Sequence, residues 1–168
     1  MPPPVQYRGM MLLVPDNDSE WKEYFEHARA HRLVMRKCTA CGLMRYPPTH
    51  ACPWCMELTW TWQEVSGRGN IYSYEIVVHA IQPGFKELVP YPVVLVELDE
   101  QRGQPTADES LRIIGNLVKP DFTPEEEREV AIGRRVRVLF QDLADHMALP
   151  QFTLTEEPAE SRPWRLPE

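Results

Sequence analysis

The chain has 168 residues, 43% of them hydrophobic, and a formal net charge of −7. That length holds one ordinary core of ~100–150 residues plus a small appendage, which needs a metal or a disulfide to stand alone. No apolar run approaches the ~18 residues of a membrane span, and the acidic balance speaks against duplex nucleic acid as a main partner, because such binding rests on phosphate neutralisation.

Residues 1–16 read as an extended N-terminus. Met1-Pro2-Pro3-Pro4-Val5 lacks the basic region and apolar stretch of a signal peptide, so a cytoplasmic address and no membrane partner are expected. The 17 prolines, about twice the usual ~5%, fall in punctuating places such as Pro47-Pro48, Pro90 and Pro92, and predict stiff loops. Residues 17–35 predict a helical arm: Asn17 followed by Glu20 fits a capping box, and Trp21, Tyr24, Phe25 and Ala28 fall at i, i+3, i+4 and i+7 on one face. This aromatic stripe packs on the protein's own core or docks a partner. Since Trp and Tyr dominate interface hot spots, Trp21, Tyr24 and Phe25 are candidate partner-binding residues.

Residues 36–62 carry the most specific signal. All four cysteines lie there, as Cys38-Thr39-Ala40-Cys41-Gly42 and Cys52-Pro53-Trp54-Cys55. Two Cys-x-x-Cys turns bring four soft ligands to one tetrahedron, the pattern of a structural zinc site on Cys38, Cys41, Cys52 and Cys55. Two disulfides would require an oxidising compartment, and a thioredoxin-like redox motif would be a single Cys-x-x-Cys beside a βαβ unit. Iron is the serious rival, since all-thiolate tetrahedra accept either metal. The ten residues between the knuckles make a small site tied to a larger domain, which favours zinc. Four cysteines fill the coordination sphere, so a catalytic zinc with an open position is not expected. From His31 to Tyr46 there are Arg32, Arg36, Lys37 and Arg45 and no acid, which reads as a local basic patch.

Residues 63–155 change to a β pattern. Gly67-Arg68-Gly69 signals a turn before a strand at residues 70–79, and further strands are expected at 91–98, 111–118, 135–140 and 151–154. Thr123-Pro124-Glu125-Glu126-Glu127 has the composition of a helix start. Five short strands with a helix between the third and fourth are the recipe of a five-stranded OB-fold barrel, a generic five-stranded sheet being the alternative, so the fold class is mainly β. Residues 156–168 read as a flexible C-terminal tail.

The motifs Arg36-Lys37-Cys38-Thr39-Ala40-Cys41-Gly42, Tyr46-Pro47-Pro48, Cys52-Pro53-Trp54-Cys55, Trp62 with Ser66-Gly67-Arg68-Gly69, Leu98-Asp99-Glu100, Ile132-Gly133-Arg134-Arg135-Val136 and Leu149-Pro150-Gln151-Phe152 resemble the family of OB-fold acyl-CoA-associated proteins with an N-terminal rubredoxin-like zinc ribbon, long filed as a domain of unknown function. One departure is Met56, where many such ribbons have Gly after the fourth ligand. The resemblance covers about residues 17–154. It implies a non-catalytic accessory subunit that assembles with a thiolase-superfamily large subunit as a hetero-oligomer, a heterotetramer, acting on a C–C bond of an acyl-CoA. Zn²⁺ would be structural, and CoA or acyl-CoA would be bound within the complex, with Arg36, Lys37 and Arg45 as candidates for its phosphates.

The residues agree with that division of labour, because every cysteine is committed to metal and none remains as a nucleophile. The histidines assemble no site on paper, and Asp142, Asp145 and His146 read as a solvated loop. Two other classes stay open: a single-stranded nucleic-acid module stacking bases on Trp60, Trp62, Tyr72 and Tyr74, and a rubredoxin-like electron carrier.

Overall fold

The computed structural model describes residues 3–12, 19–159 and 162–165. In chain order the elements are β1 (Val5–Tyr7), β2 (Met10–Leu12), α1 (Ser19–Arg29), β3 (Leu33–Cys38), β4 (Met44–Arg45), β5 (Trp60–Val65), β6 (Arg68–Val77), β7 (Tyr91–Leu98), β8 (Arg112–Asn116), β9 (Arg135–Ala144) and β10 (Met147–Leu154). No helix among the described residues is long and apolar enough to cross a membrane.

Three antiparallel sheets result. β1 and β2 form a hairpin, β4-β3-β5 form the ribbon sheet, and β10-β9-β6-β7-β8 form the barrel sheet. The last closes on itself where Leu117 bridges Phe152 in parallel and the Val118 N–H donates to the Phe152 carbonyl at 2.8 Å. This is the strand arrangement of an OB-fold. Within it, β7 alternates faces along its whole length, with Pro92, Val94, Val96 and Leu98 turned inward, as period-2 geometry requires of a half-buried strand.

Two glycines set how β6 enters the barrel. Gly67 has φ +70°, and a Cβ there would sit 2.2 Å from Val138 Cγ1; at Gly69 it would sit 2.2 Å from the Glu97 carbonyl oxygen. The Ser-Gly-x-Gly segment is thus a place where neighbouring strands approach more closely than any side chain permits. A second pair of motifs meets nearby. Arg135, 8% exposed, grips both oxygens of Asp99 at 2.7 and 2.6 Å, and these hydrogen bonds hold the Asp99 carboxyl below its ordinary range.

The expected elements differ from these in several places. The arm stops at Arg29 rather than 35, because Leu33 already pairs with Val65 in the ribbon sheet; the expected cap, Asn17, lies outside the described residues. No α-helix follows Thr123. Thr123 donates to Asp121 through its N–H and hydroxyl, the Glu125 N–H donates to the Leu117 carbonyl, and only a 3₁₀ turn forms at Glu127–Glu129. Pairing with the strand end after β8 has displaced local helix propensity. β9 and β10 are longer than expected and make one hairpin, so Asp142 lies on a strand and Asp145-His146 is its turn. In the C-terminal segment, Trp164 exchanges both backbone hydrogen bonds with Ile132, at 2.8 and 3.1 Å.

One core serves ribbon and barrel together. Tyr24 of α1, Leu33, Val34 and Met35 of β3, Met44 of β4 and Val65 of β5 join Ile71, Val94, Val96, Leu98, Val136 and Phe152 of the barrel in a single buried cluster. β3 is buried on both faces, a consequence of being packed by α1 as well as lying in a sheet. Burial of this kind is worth about 25 cal/mol per Å² of apolar surface.

A polar clamp seals the joint. Gln101, 3% exposed, accepts from the Met44 N–H at 2.6 Å and donates to the Met44 carbonyl at 2.9 Å, so a barrel side chain completes the free edge of β4. Gln101→Leu orphans both backbone groups in the interior, where each costs about 1–3 kcal/mol. Urea denaturation of the metal-loaded variant should therefore show a lower midpoint, with faster hydrogen exchange at Met44. An unchanged midpoint would show that the ribbon docks without this pair.

Candidate metal centre

The first knuckle lies between β3 and β4 and the second between β4 and β5. Each closes on a backbone bond: the Gly42 N–H donates to the Cys38 carbonyl at 3.1 Å, and the Met56 N–H to the Cys52 carbonyl at 2.9 Å. The four sulfurs converge, all within 4.8 Å of one another, with Cys38 and Cys55 Sγ 3.5 Å apart and Cys41 and Cys52 Sγ 3.6 Å apart. Cys38 and Cys52 are buried, while Cys41 and Cys55 face solvent.

The surroundings act on the thiols unequally. The Cys38 thiol is drawn down to about 6, chiefly by the backbone N–H of Cys41 and further by that of Ala40. Backbone N–H groups of Leu43 and Glu57 also act to lower Cys41 and Cys55, but burial and the neighbouring sulfurs outweigh them, raising Cys41 and pushing Cys55 up to about 12. Four converging sulfurs with amide donors fit a closed tetrahedral zinc site, which Cys38, Cys41, Cys52 and Cys55 would hold.

Met56 stands where a glycine would be easiest, and it adopts the left-handed conformation itself, with φ 64° against 75° at Gly42 in the first knuckle. The second knuckle is therefore conserved in shape at the expense of backbone strain.

The basic residues next to the knuckles do not form an open patch. Arg36 is 2% and Arg45 3% exposed, and only Lys37 is half-buried at the surface. The two arginines are register partners across β3 and β4. Both donate to the Thr49 carbonyl, Arg36 Nη1 at 3.2 Å and Arg45 Nε at 2.9 Å, and Arg45 Nη2 donates to the His50 carbonyl at 3.1 Å. Arg36 also lies 3.9 Å from the Trp60 ring centre and 3.8 Å from Glu20 Oε1. Their placement holds the loop between the knuckles from inside, a role hidden from a reading that treats Arg and Lys as surface residues.

The aromatic stripe of α1 divides. Tyr24 is 4% exposed and belongs to the core, whereas Trp21 and Phe25 are half-buried beside it. Trp21, Tyr24, Phe25 and Tyr46 form a cluster of edge-on and tilted rings with centroids 5.4 to 6.2 Å apart. The face is thus largely covered by the chain's own core. The rings considered as base-stacking platforms are also engaged: Trp60 and Trp62 meet edge-on around Arg36, and the Arg112 guanidinium covers Tyr72 at 3.6 Å. His31 lies 2.7 Å from Asp142, and His146 bonds the Pro3 carbonyl, so these groups do not gather with Asp145 into one site. Gln101 is the residue that sequence reasoning missed. It directly follows Leu98-Asp99-Glu100, and nothing local marks its amide as a partner for β4.

Two substitutions test the centre. Structural zinc binding, on the order of 10–16 kcal/mol, is largely folding energy, so Cys52→Ser should be purified without zinc and with a destabilised ribbon; full occupancy by atomic absorption with an unchanged melt would refute this. Met56→Gly relieves a left-handed residue that costs about 1–2 kcal/mol and loses little packing, since Met56 is 71% exposed. It should raise stability by about 1 kcal/mol and slow zinc loss to a chromophoric chelator.

Comparison with known proteins places this geometry in a family. A model described as the ChsH2 rubredoxin-like zinc ribbon domain matches residues 25–57, and one described as the ChsH2 C-terminal OB-fold domain matches residues 62–141. A DUF35 domain-containing scaffold protein of Methanocaldococcus jannaschii is 31% identical over 115 residues, covering 67% of this chain and 70% of that protein. A probable enoyl-CoA hydratase alpha subunit of Thermomonospora curvata is 34% identical over 129 residues, covering 77% of this chain; the match spans only 35% of that relative's length. Among solved structures, a chain of the Ltp2-ChsH2(DUF35) aldolase superposes with a TM-score of 0.66 at 31% identity, covering 83% of this chain and 98% of that one. The chain belongs to the DUF35 family of ChsH2-type proteins, in which a rubredoxin-like zinc ribbon is joined to an OB-fold.

Proposed function

We propose that the chain is a non-catalytic accessory subunit that assembles with a thiolase-superfamily enzyme forming or cleaving a C–C bond in an acyl-CoA. The observation that carries this reading is the match to nearly the whole of one chain of the Ltp2-ChsH2(DUF35) aldolase. It is supported by the cysteines, all of which are drawn into one closed cluster and leave no thiol for covalent catalysis. In this reading the zinc is structural and keeps the ribbon rigid as a docking element. Trp21 and Phe25 offer the large subunit their outer edges, while Tyr24 anchors the arm that presents them.

The similarity to a hydratase subunit favours a second reading, in which the associated enzyme hydrates an enoyl-CoA instead. One experiment separates the two: affinity purification of the tagged full-length chain from its own cells, with mass spectrometry of what accompanies it. A stoichiometric thiolase-superfamily protein is the expected result, a hydratase would support the second reading, and recovery of the chain alone would overturn both. Trp21→Ala should then weaken assembly by about 2 kcal/mol with zinc content unchanged.

A further inference from the structure

One seam of the barrel is left open. β8 and β10 are the two ends of the barrel sheet, and among the described residues they join through the Leu117–Phe152 bridge. Toward their N-terminal ends they bound a groove of about 530 Å³, lined by Met10 and Leu12 of the hairpin, Phe25 of α1, Ile114 of β8, and Leu149 and Pro150 of β10. No charged residue contributes to that lining.

Register fixes what β8 shows to this seam. The Leu98 N–H donates to the Leu111 carbonyl at 3.0 Å, and the Leu117 N–H to the Pro92 carbonyl at 3.1 Å. In the antiparallel ladder between them, Ile113 and Gly115 therefore bond β7, while the N–H and C=O groups of Arg112 and Ile114 point away from it. Among the described residues none of these outward groups bonds another segment. Proteins blunt such an edge with charge, proline, a bulge or a cover. Ile113-Ile114-Gly115-Asn116-Leu117-Val118 has neither charge nor proline, β8 runs beside β7 without a register shift, and Ile114 is 58% exposed. A cover is the device that remains.

A small apolar ligand would fill the groove but leave the backbone groups of β8 unanswered, whereas an extended chain satisfies both. We propose that this edge takes an extended segment of the large subunit, which adds a strand beside β8 and sets alternate, uncharged apolar side chains into the groove. The proposal rests on the accessory-subunit reading and gives it a point of attachment. Phe25, whose outer edge that reading offers to the large subunit, forms one wall of the groove, so helix arm and strand edge make one continuous surface.

The test is hydrogen–deuterium exchange, read at single amides by mass spectrometry, on the zinc-loaded full-length chain alone and in complex with the large subunit that copurifies with it. The Arg112 and Ile114 amides should exchange freely in the isolated chain and at least about ten-fold more slowly in the complex. The Ile113 and Gly115 amides, bonded to β7, are the slow reference in both states. Ile114→Pro removes an outward N–H without touching the β7 ladder. It should weaken assembly by about ten-fold, the loss of roughly one net hydrogen bond, whereas Ile114→Val keeps that N–H and should assemble as the original chain does. If the proline variant melts early, the exchange comparison on the unaltered chain decides alone. Unchanged exchange at Arg112 and Ile114 in a complex that forms would overturn the proposal and leave the accessory-subunit reading standing. Protection already present in the isolated chain, from a second copy or from its own residues, would do the same. Recovery of no partner would overturn that reading and the proposal with it.

Discussion

The carbonyl oxygen of Thr49 receives hydrogen bonds from two buried guanidiniums, and much of the ribbon's order follows from that convergence. Four thiolates meet at a point only if the ten residues between the knuckles take one path, and after the two residues of β4 that loop has no strand or helix to fix it. Arg36 reaches it from β3 and Arg45 from β4, so the two strands that carry the first knuckle also position the second. The cost is two like charges in the interior. Glu20 and the Trp60 ring ease it around Arg36, while around Arg45 the carbonyls of Thr49 and His50 do so.

How far the sequence disclosed this depended on the range of each interaction. The knuckles were legible because a Cys-x-x-Cys turn is complete within four residues and its chemistry is carried by residue type. The β7 strand was legible to the residue, since Tyr91–Leu98 is a near-continuous apolar run rich in β-formers; which face each residue takes was visible only in the fold. Arg36 and Arg45 were misread as surface because their burial comes from contacts that composition does not encode: α1 covering β3, and a loop carbonyl several residues away. Thr123-Pro124 misled for the same reason. Its capping chemistry is real, but the Thr123 side chain and the Glu125 amide found partners in Asp121 and Leu117 that a helix could not offer.

The aromatic arm shows how a correct pattern can leave its meaning open. The i, i+3, i+4 spacing of Trp21, Tyr24 and Phe25 located α1, yet that spacing is the same whether the face meets a barrel or another protein. The fold divides the stripe between the two, burying Tyr24 and leaving the flanking rings partly open. Met56 is the complementary case. The sequence flagged it as a departure, and the backbone absorbed the departure by keeping the left-handed turn with a side chain in place.

The shared core bears on where this architecture can be cut. Family models divide the chain between residues 57 and 62, but Leu33, Val34 and Met35 lie in the same buried cluster as Val94, Val96 and Phe152, and Gln101 fills an edge that belongs to β4. The division is one of sequence similarity and not of folding. A ribbon lifted out at that seam would carry its metal ligands but expose the apolar face that β3 now buries, so metal and barrel together are what keep it folded and in solution.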